Sequence, residues 1–168
     1  MWYVDSIGLV KTPRGVTLSG VQHPRNIFTL WSKADLAEIG IKPASITAVD
    51  QRYNNTGALT WDTSGAEAVG TYGTTDKVAA DLKSSMTESV QSQAASFLSG
   101  SDWYTIREAD GGTACPADWK TYRAAVRTES NSKVTAIAAL ADLDAIKAFD
   151  AATPITAGWP NDPDYVAP

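Results

Sequence analysis

The segment 76–98, DKVAADLKSSMTESVQSQAASFL, decides how this chain is built. Val78, Leu82, Met86, Val90, Ala94 and Phe97 recur at spacings of four, four, four, four and three, which lays them along one face of a helix. Thr74 or Thr75 is placed to cap its start and Gly100 to stop it. The other faces carry Ser84, Ser85, Thr87, Ser89, Gln91, Ser92 and Gln93, whose intrinsic helicity is mediocre. Such a helix holds its shape through packing of its stripe. That stripe must meet a second helix, a sheet or another chain.

Upstream of this helix the pattern changes. Residues 1–74 are rich in β-branched and aromatic side chains punctuated by turn formers, which predicts a small antiparallel β unit. Val16–Val21 reads as a strand. Val49–Tyr53 and Ala58–Trp61 flank Asn54-Asn55-Thr56-Gly57, a hairpin-like connection whose Asn and Gly tolerate positive φ. Beyond Asp62-Thr63-Ser64-Gly65, a turn in which the aspartate bonds the backbone just ahead, Ala66–Tyr72 reads as a third strand. Ser32 is placed to cap a short helix over Lys33–Ile39, ended by Gly40.

Downstream, Trp119, Tyr122, Val126, Val134, Ile137 and Ala141 form a second stripe, with Pro116 allowed in the opening turn of its helix. Asp142 can cap a last short helix holding Leu143, Ile146 and Phe149. The end of the chain, with four prolines between Ala152 and Pro168, reads as an extended tail. The fold class expected is therefore α+β. Residues 1–74 form a β-rich domain, 75–152 a helical region (a long helix, then a helical hairpin), and 153–168 the tail.

Composition narrows the function. With 168 residues, 43% of them hydrophobic and 20% charged, the chain can bury a core. A net charge of −5 without clustered Lys or Arg argues against nucleic acid or an anionic membrane as partner. No apolar run approaches a membrane span, and MWYVDSIGLV lacks the pattern of a signal peptide, so synthesis in the cytoplasm is expected. Cys115 and His23 are each the only residue of their kind, which gives no basis for a metal site, and no cofactor is expected. Gly70–Lys77 lacks the ending that binds nucleotide phosphates, and no catalytic constellation is evident; the chain reads as a non-enzyme.

Aromatic residues carry more information than charges. Six tryptophans are spread over every segment, and Trp, Tyr and Arg dominate binding hot spots. Trp103 and Trp119 are expected to pack against each other, or against the long helix, at the turn joining their two helices. Arg123 and Arg127, four residues apart, flank the second stripe, facing a partner or pairing with Asp118 or Glu129. Trp159 lies in the proline-rich tail, where its ring needs a cover from its own body or a partner.

Ser101–Arg127, SDWYTIREADGGTACPADWKTYRAAVR, followed by Trp159-Pro160, resembles the tail-fibre assembly proteins and tail assembly chaperones of tailed bacteriophages. The matching pieces are Asp102-Trp103, Pro116, the run Trp119-Lys120-Thr121-Tyr122-Arg123-Ala124-Ala125-Val126-Arg127, and Trp159-Pro160. The resemblance covers only the C-terminal part. It implies a chaperone or fibre-associated protein that binds a tail-fibre or other tail protein, working in the host cytoplasm during assembly. Trp103, Trp119, Tyr122, Arg123, Arg127 and Trp159 are the partner-binding candidates. The alternative is a structural component of the tail, baseplate or fibre that stays in the virion and bundles its helices with symmetry mates as a homo-oligomer.

Overall fold

The computed structural model describes residues 1–164. The chain is α+β and divides into two compact units, Met1–Thr75 and a second that begins at Asp76.

The first unit holds seven strands: β1 (Trp2–Val4), β2 (Gly8–Val10), β3 (Val16–Leu18), β4 (Val21–His23), β5 (Ile41–Ile46), β6 (Asn54–Asp62) and β7 (Ala68–Asp76). Two short helices, α1 (Ile27–Leu30) and α2 (Lys33–Glu38), lie between β4 and β5. Five strands form one sheet in the order β2-β1-β5-β7-β6, while β3 and β4 form a separate hairpin. The pleat sorts β1 by alternation. Val4 is fully buried and Trp2 packs on Phe28 of α1 at 5.5 Å between ring centroids, whereas Tyr3 meets Trp61 at 4.9 Å. Val4, Val10, Val16, Leu18, Ile27, Phe28, Leu36 and Ile41 make the core of this unit.

The helix expected after Ser32 is present as α2. Ser32 Oγ accepts the Asp35 amide at 3.2 Å, Asp35 accepts the Ser32 amide in return, and Gly40 follows with φ +77°. The single strand read over Val16–Val21 is instead a tight hairpin. Ser19 (φ 49°) and Gly20 (φ 82°) turn the chain between β3 and β4, the two positive values that match the twist of the strands.

Two expectations for the sheet are corrected. The purely antiparallel unit is in fact mixed, because β5 pairs parallel with β7, Ala44 opposite Ala68 and Ile46 opposite Gly70. The chain leaves β5, runs out along β6 and returns as β7 between the two, which makes β7 parallel to β5. The hairpin turn also lies elsewhere. Asn54–Gly57 belongs to the nine-residue β6, and the reversal falls over residues 63–67. Gly57 lies against Gly73 and Gly70 against Trp61, so β6 and β7 run antiparallel. Pairing along a whole strand outweighs the local preference of Asn and Gly for turns. Around the true turn, Asp62 accepts the Ser64 amide at 2.9 Å as expected, and that bond holds the Asp62 carboxyl below its usual pKa. Lys42 of β5 donates to the Thr63 and Gly65 carbonyls and fastens the same turn.

The second unit holds α3 (Ala79–Ser99), α4 (Asp102–Ala109), α5 (Ala117–Ala139) and α6 (Leu143–Ala152). The long helix starts later than expected, since β7 runs on to Asp76. Thr74 and Thr75 lie in that strand, and Val78 precedes α3 without a side-chain cap. Gly100 ends α3 in a right-handed conformation (φ −61°) rather than as a left-handed cap. The expected long helix is present as α3; α5 is as long and runs antiparallel to it, with α4 between them in sequence and α6 after them. Val90 and Ala94 of α3 and Tyr122, Val126 and Ile137 of α5 are buried, while Val78, at the start of the expected stripe, is exposed, and so is Ala141, past the end of α5. Asp142 caps α6 as expected by accepting the Ala145 amide at 2.9 Å.

Each long helix caps the other. Arg123 of α5 donates to the Leu98 carbonyl at 2.8 Å, at the end of α3. Lys83 of α3 donates to the Ala138 and Leu140 carbonyls at 2.8 and 2.9 Å, at the end of α5. Cations at helix C-termini satisfy orphan carbonyls and oppose the helix dipole.

Leu36 has no exposed surface, so Leu36→Ala should cost about 2–5 kcal/mol. Urea unfolding of the full chain, followed by a probe in the first unit, reads that loss as a lower midpoint.

Candidate protein-binding surface

At the junction of α3 and α4 the chain turns in only two residues, Gly100 and Ser101. Ser101 is fully buried and its hydroxyl donates to the Leu98 carbonyl at 3.0 Å. The Arg123 guanidinium fills the inside of this turn. Beyond Leu98 it reaches Ser101 Oγ at 2.6 Å and pairs with Asp102 Oδ1 at 2.7 Å. One planar fork thus binds the end of α3, the turn and the start of α4, a task suited to arginine and not to lysine. Its Nε is buried without a hydrogen-bond partner.

With its first residue fixed, α4 starts a run of aromatic rings at the surface that α5 continues inward. Trp103 stacks on Tyr104 at 3.9 Å, Tyr104 neighbours Trp119 at 5.7 Å, and Trp119 meets Tyr122 edge-on at 5.6 Å. Trp103 is 51% exposed, Tyr104 and Trp119 are half-buried, and Tyr122 is buried. Tyr122 joins Ala94 and Val126 in the core of this unit, and burial, helped by the negative charge of Asp162, pushes its hydroxyl pKa up. Arg107, one turn beyond Trp103, sets its guanidinium 4.7 Å from the Trp103 ring and 5.4 Å from Tyr104. Ile106, on the same side as Trp103 at a spacing of three, is 60% exposed.

The loop after α4 is fastened on both sides. Arg107 donates to the Thr113 carbonyl at 3.0 Å, and a Cβ on Gly112 would lie 2.9 Å from the Arg107 carbonyl oxygen, so only glycine fits. Glu108 pairs with Lys120 of α5 at 2.6 Å and accepts the Cys115 amide at 3.3 Å. Those two bonds, Lys120 first, hold the Glu108 carboxyl below its ordinary pKa. Cys115 itself is buried.

The described part of the tail is fastened as well. It bends in a turn at Pro154–Ala157 before continuing irregularly, so it is not extended throughout. Trp159 donates through its indole nitrogen to Gln93 of α3 at 3.0 Å and to the Ile155 carbonyl at 3.2 Å, with its ring 5.2 Å from Phe97. Lys133 of α5 is only 6% exposed; it donates to the Ala157 carbonyl at 2.7 Å, pairs with Glu129 at 3.0 Å and lies 5.4 Å from the Trp159 ring. The part of the tail call that covers 165–168 lies outside the described residues.

The six partner-binding candidates therefore separate. Trp103 was expected to be buried against Trp119, yet Tyr104 stands between them and leaves Trp103 at the surface. Tyr122 and Arg123 were expected to face a partner; both are buried, Arg123 with 6% of its surface exposed, paired with Asp102 rather than Asp118 or Glu129. Arg127 is exposed, Trp119 half-buried, and Trp159 covered by its own unit. Lys133, Tyr104 and Ile106 were missed. Lys133 does sit seven residues after Val126, on the apolar stripe, and a charge at such a position signals a buried partner. Among the described residues no group of His, Cys, Asp and Glu could hold a metal ion, and no helix is long and apolar enough to cross a membrane. Comparison with protein-family models, curated proteins and solved structures gives no match.

Arg123→Met should remove hydrogen bonds to a carbonyl, a hydroxyl and a carboxylate and cost roughly 2–3 kcal/mol, with Arg123→Lys recovering little of it. Lys83→Met, at the far end of the pair, should cost about 1 kcal/mol, and the two losses should add because the sites share no partner. Urea denaturation of the single and double variants measures both. Because the Glu108 pKa is lowered in the folded chain, its contribution is present at neutral pH and lost as pH falls through the carboxylate range. Glu108→Gln should flatten that part of the stability profile, read as melting temperature against pH.

Proposed function

We propose that this chain is a tail-fibre assembly chaperone or fibre-associated protein of a tailed bacteriophage, holding a tail protein on the outer end of its aromatic run. The observation that carries the reading is Trp103, a large ring half in solvent and kept rigid by Tyr104 and Arg107, with Ile106 exposed beside it. A preorganised aromatic with an apolar neighbour loses little conformational entropy on binding, which is what a hot spot requires. The order of Asp102-Trp103, Pro116, the Trp119–Arg127 run and Trp159-Pro160, all within the second unit, supports the assignment to phage tails. Fibres with intertwined β structure form non-local contacts slowly and aggregate while their edges are unpaired, and a small helper that masks apolar surface shortens that exposure. On this reading the partner is a tail-fibre or other tail protein, met in the host cytoplasm during assembly.

The test is co-expression with a tail-fibre protein of the same genome, reading soluble fibre trimer and pull-down. Trp103→Ala with Ile106→Ser should cost about 1–2 kcal/mol through the lost contacts with Tyr104 and Arg107 and leave the chain folded, while binding falls roughly tenfold or more. A chain ending at Ala152 should lose stability through the uncovered Lys133 and bind less for that reason. Unchanged fibre yield and binding in the Trp103–Ile106 variant would sink the proposal. Near-stoichiometric peptides of this chain in purified virions would favour the reading as a permanent tail component over a transient chaperone.

A further inference from the structure

The first unit carries a cleft of about 490 Å³, a size that suits a ligand, between the turn after β1, the β3–β4 hairpin and the end of α2. Its floor is apolar: Val4 and Leu18 are buried and Ile39 is half-buried. The lining includes two carboxylates, Asp5 and Glu38, and no lysine or arginine. Among the described residues neither carboxylate has a hydrogen bond or an ion pair. Local structure makes no use of either acid. Asp5 lies in the turn after β1, where an aspartate ordinarily accepts an amide just ahead, as Asp62 does. Its carboxylate is seated over Gly40 instead, where a Cβ would come within 3.1 Å of Oδ2. Glu38 ends α2, where the partial charge of the backbone is negative and disfavours an acid. On the rim Val21 is 57% exposed, and Trp31, 41% exposed, meets the His23 ring edge-on at 5.8 Å.

We propose that this cleft binds an arginine side chain presented by a protein partner, its guanidinium on Asp5 and Glu38 and its aliphatic stem on Val4, Leu18 and Ile39. Charge and surface select that occupant together. Two uncompensated carboxylates call for a cation, and the apolar floor calls for one carried on a hydrocarbon stem rather than for a hydrated inorganic ion. The flat, weakly hydrated guanidinium offers five donors, enough for both carboxylates and for the Ser6 and Ser19 hydroxyls that share the lining. The exposed Val21 and Trp31 select a protein over a free amine, because residues flanking the arginine cover apolar surface that a free amine leaves wet. The net charge of −5 favours the approach of a basic segment. The cleft belongs to the first unit and does not depend on the Trp103 surface of the second.

Titration of the full chain with the peptide acetyl-Val-Arg-Val-amide, followed by backbone amide NMR shifts, tests this. The expected shifts fall in residues 4–6, 18–23 and 38–40. The same peptide with citrulline, which keeps the shape of arginine without its charge, should bind roughly five- to tenfold more weakly. Asp5→Asn with Glu38→Gln should weaken the arginine peptide by a similar factor. Glu67→Gln with Glu88→Gln, which removes as much charge from exposed positions outside the cleft, should leave binding unchanged. All four positions are exposed, and the unshifted remainder of each spectrum reports that the fold is kept. Acetyl-arginine amide, which lacks the two valines, should bind severalfold more weakly than the peptide. No shift at about 10 mM peptide, equal binding of the citrulline peptide, equal losses in the two double variants, or equal binding of acetyl-arginine amide would each overturn the proposal.

Discussion

The helical unit depends on one exchange of charge: each long helix lends a cation to the carbonyl end of the other. α3 has neither an N-terminal side-chain cap nor a left-handed glycine at its end, and much of its surface is serine, threonine and glutamine. Its last turn is closed instead by Ser101, whose amide and hydroxyl both donate to the Leu98 carbonyl, and by Arg123, which adds a charged donor to that same carbonyl. The same guanidinium fixes the sharp turn at Ser101 and the first carboxylate of α4, so the direction in which α4 leaves is set by a side chain on α5. Lys83 performs the converse service where α5 gives way to α6.

From that junction follows the gradient of the aromatic rings. Tyr122 belongs to the α3–α5 core, Trp119 and Tyr104 lie between core and surface, and Trp103 stands half in solvent. Rings in sequence contact transmit rigidity outward, and Arg107 ties the outermost pair to the loop behind it. The second tryptophan of the unit, Trp159, has a different part. It closes the unit with Gln93, Phe97 and the buried Lys133, which would otherwise be a cation beside apolar surface with only Glu129 to answer it.

In the first unit the constraint is the pleat of a short strand. Three residues of β1 direct Trp2 and Val4 to the helical side and Tyr3 to the other, and both faces find aromatic partners. The entry of β7 between β5 and β6 then lengthens the sheet on one side only. The result is a sheet with the three-residue β2 at one edge and the nine-residue β6 at the other.

Local chemistry was legible in the sequence. The Ser32 and Asp142 caps, the Gly40 stop and the Asp62 turn depend on residues within one turn of each other and are present, and so is the middle of each helical stripe, though Val78, Phe97 and Ala141 at the stripe ends are exposed. Tertiary structure decided whatever required choosing between distant partners. Asn54–Gly57 is strand rather than turn because β7 lies beside it, and β7 is parallel to β5 because of the order in which strands add. Arg123 serves the interior because the α3 terminus meets it there, while Trp103 is exposed because Tyr104 occupies the place beside Trp119. Sequence periodicity specifies which face of an element is apolar; it carries no record of what that face will meet, since that is settled by packing between segments separated by tens of residues.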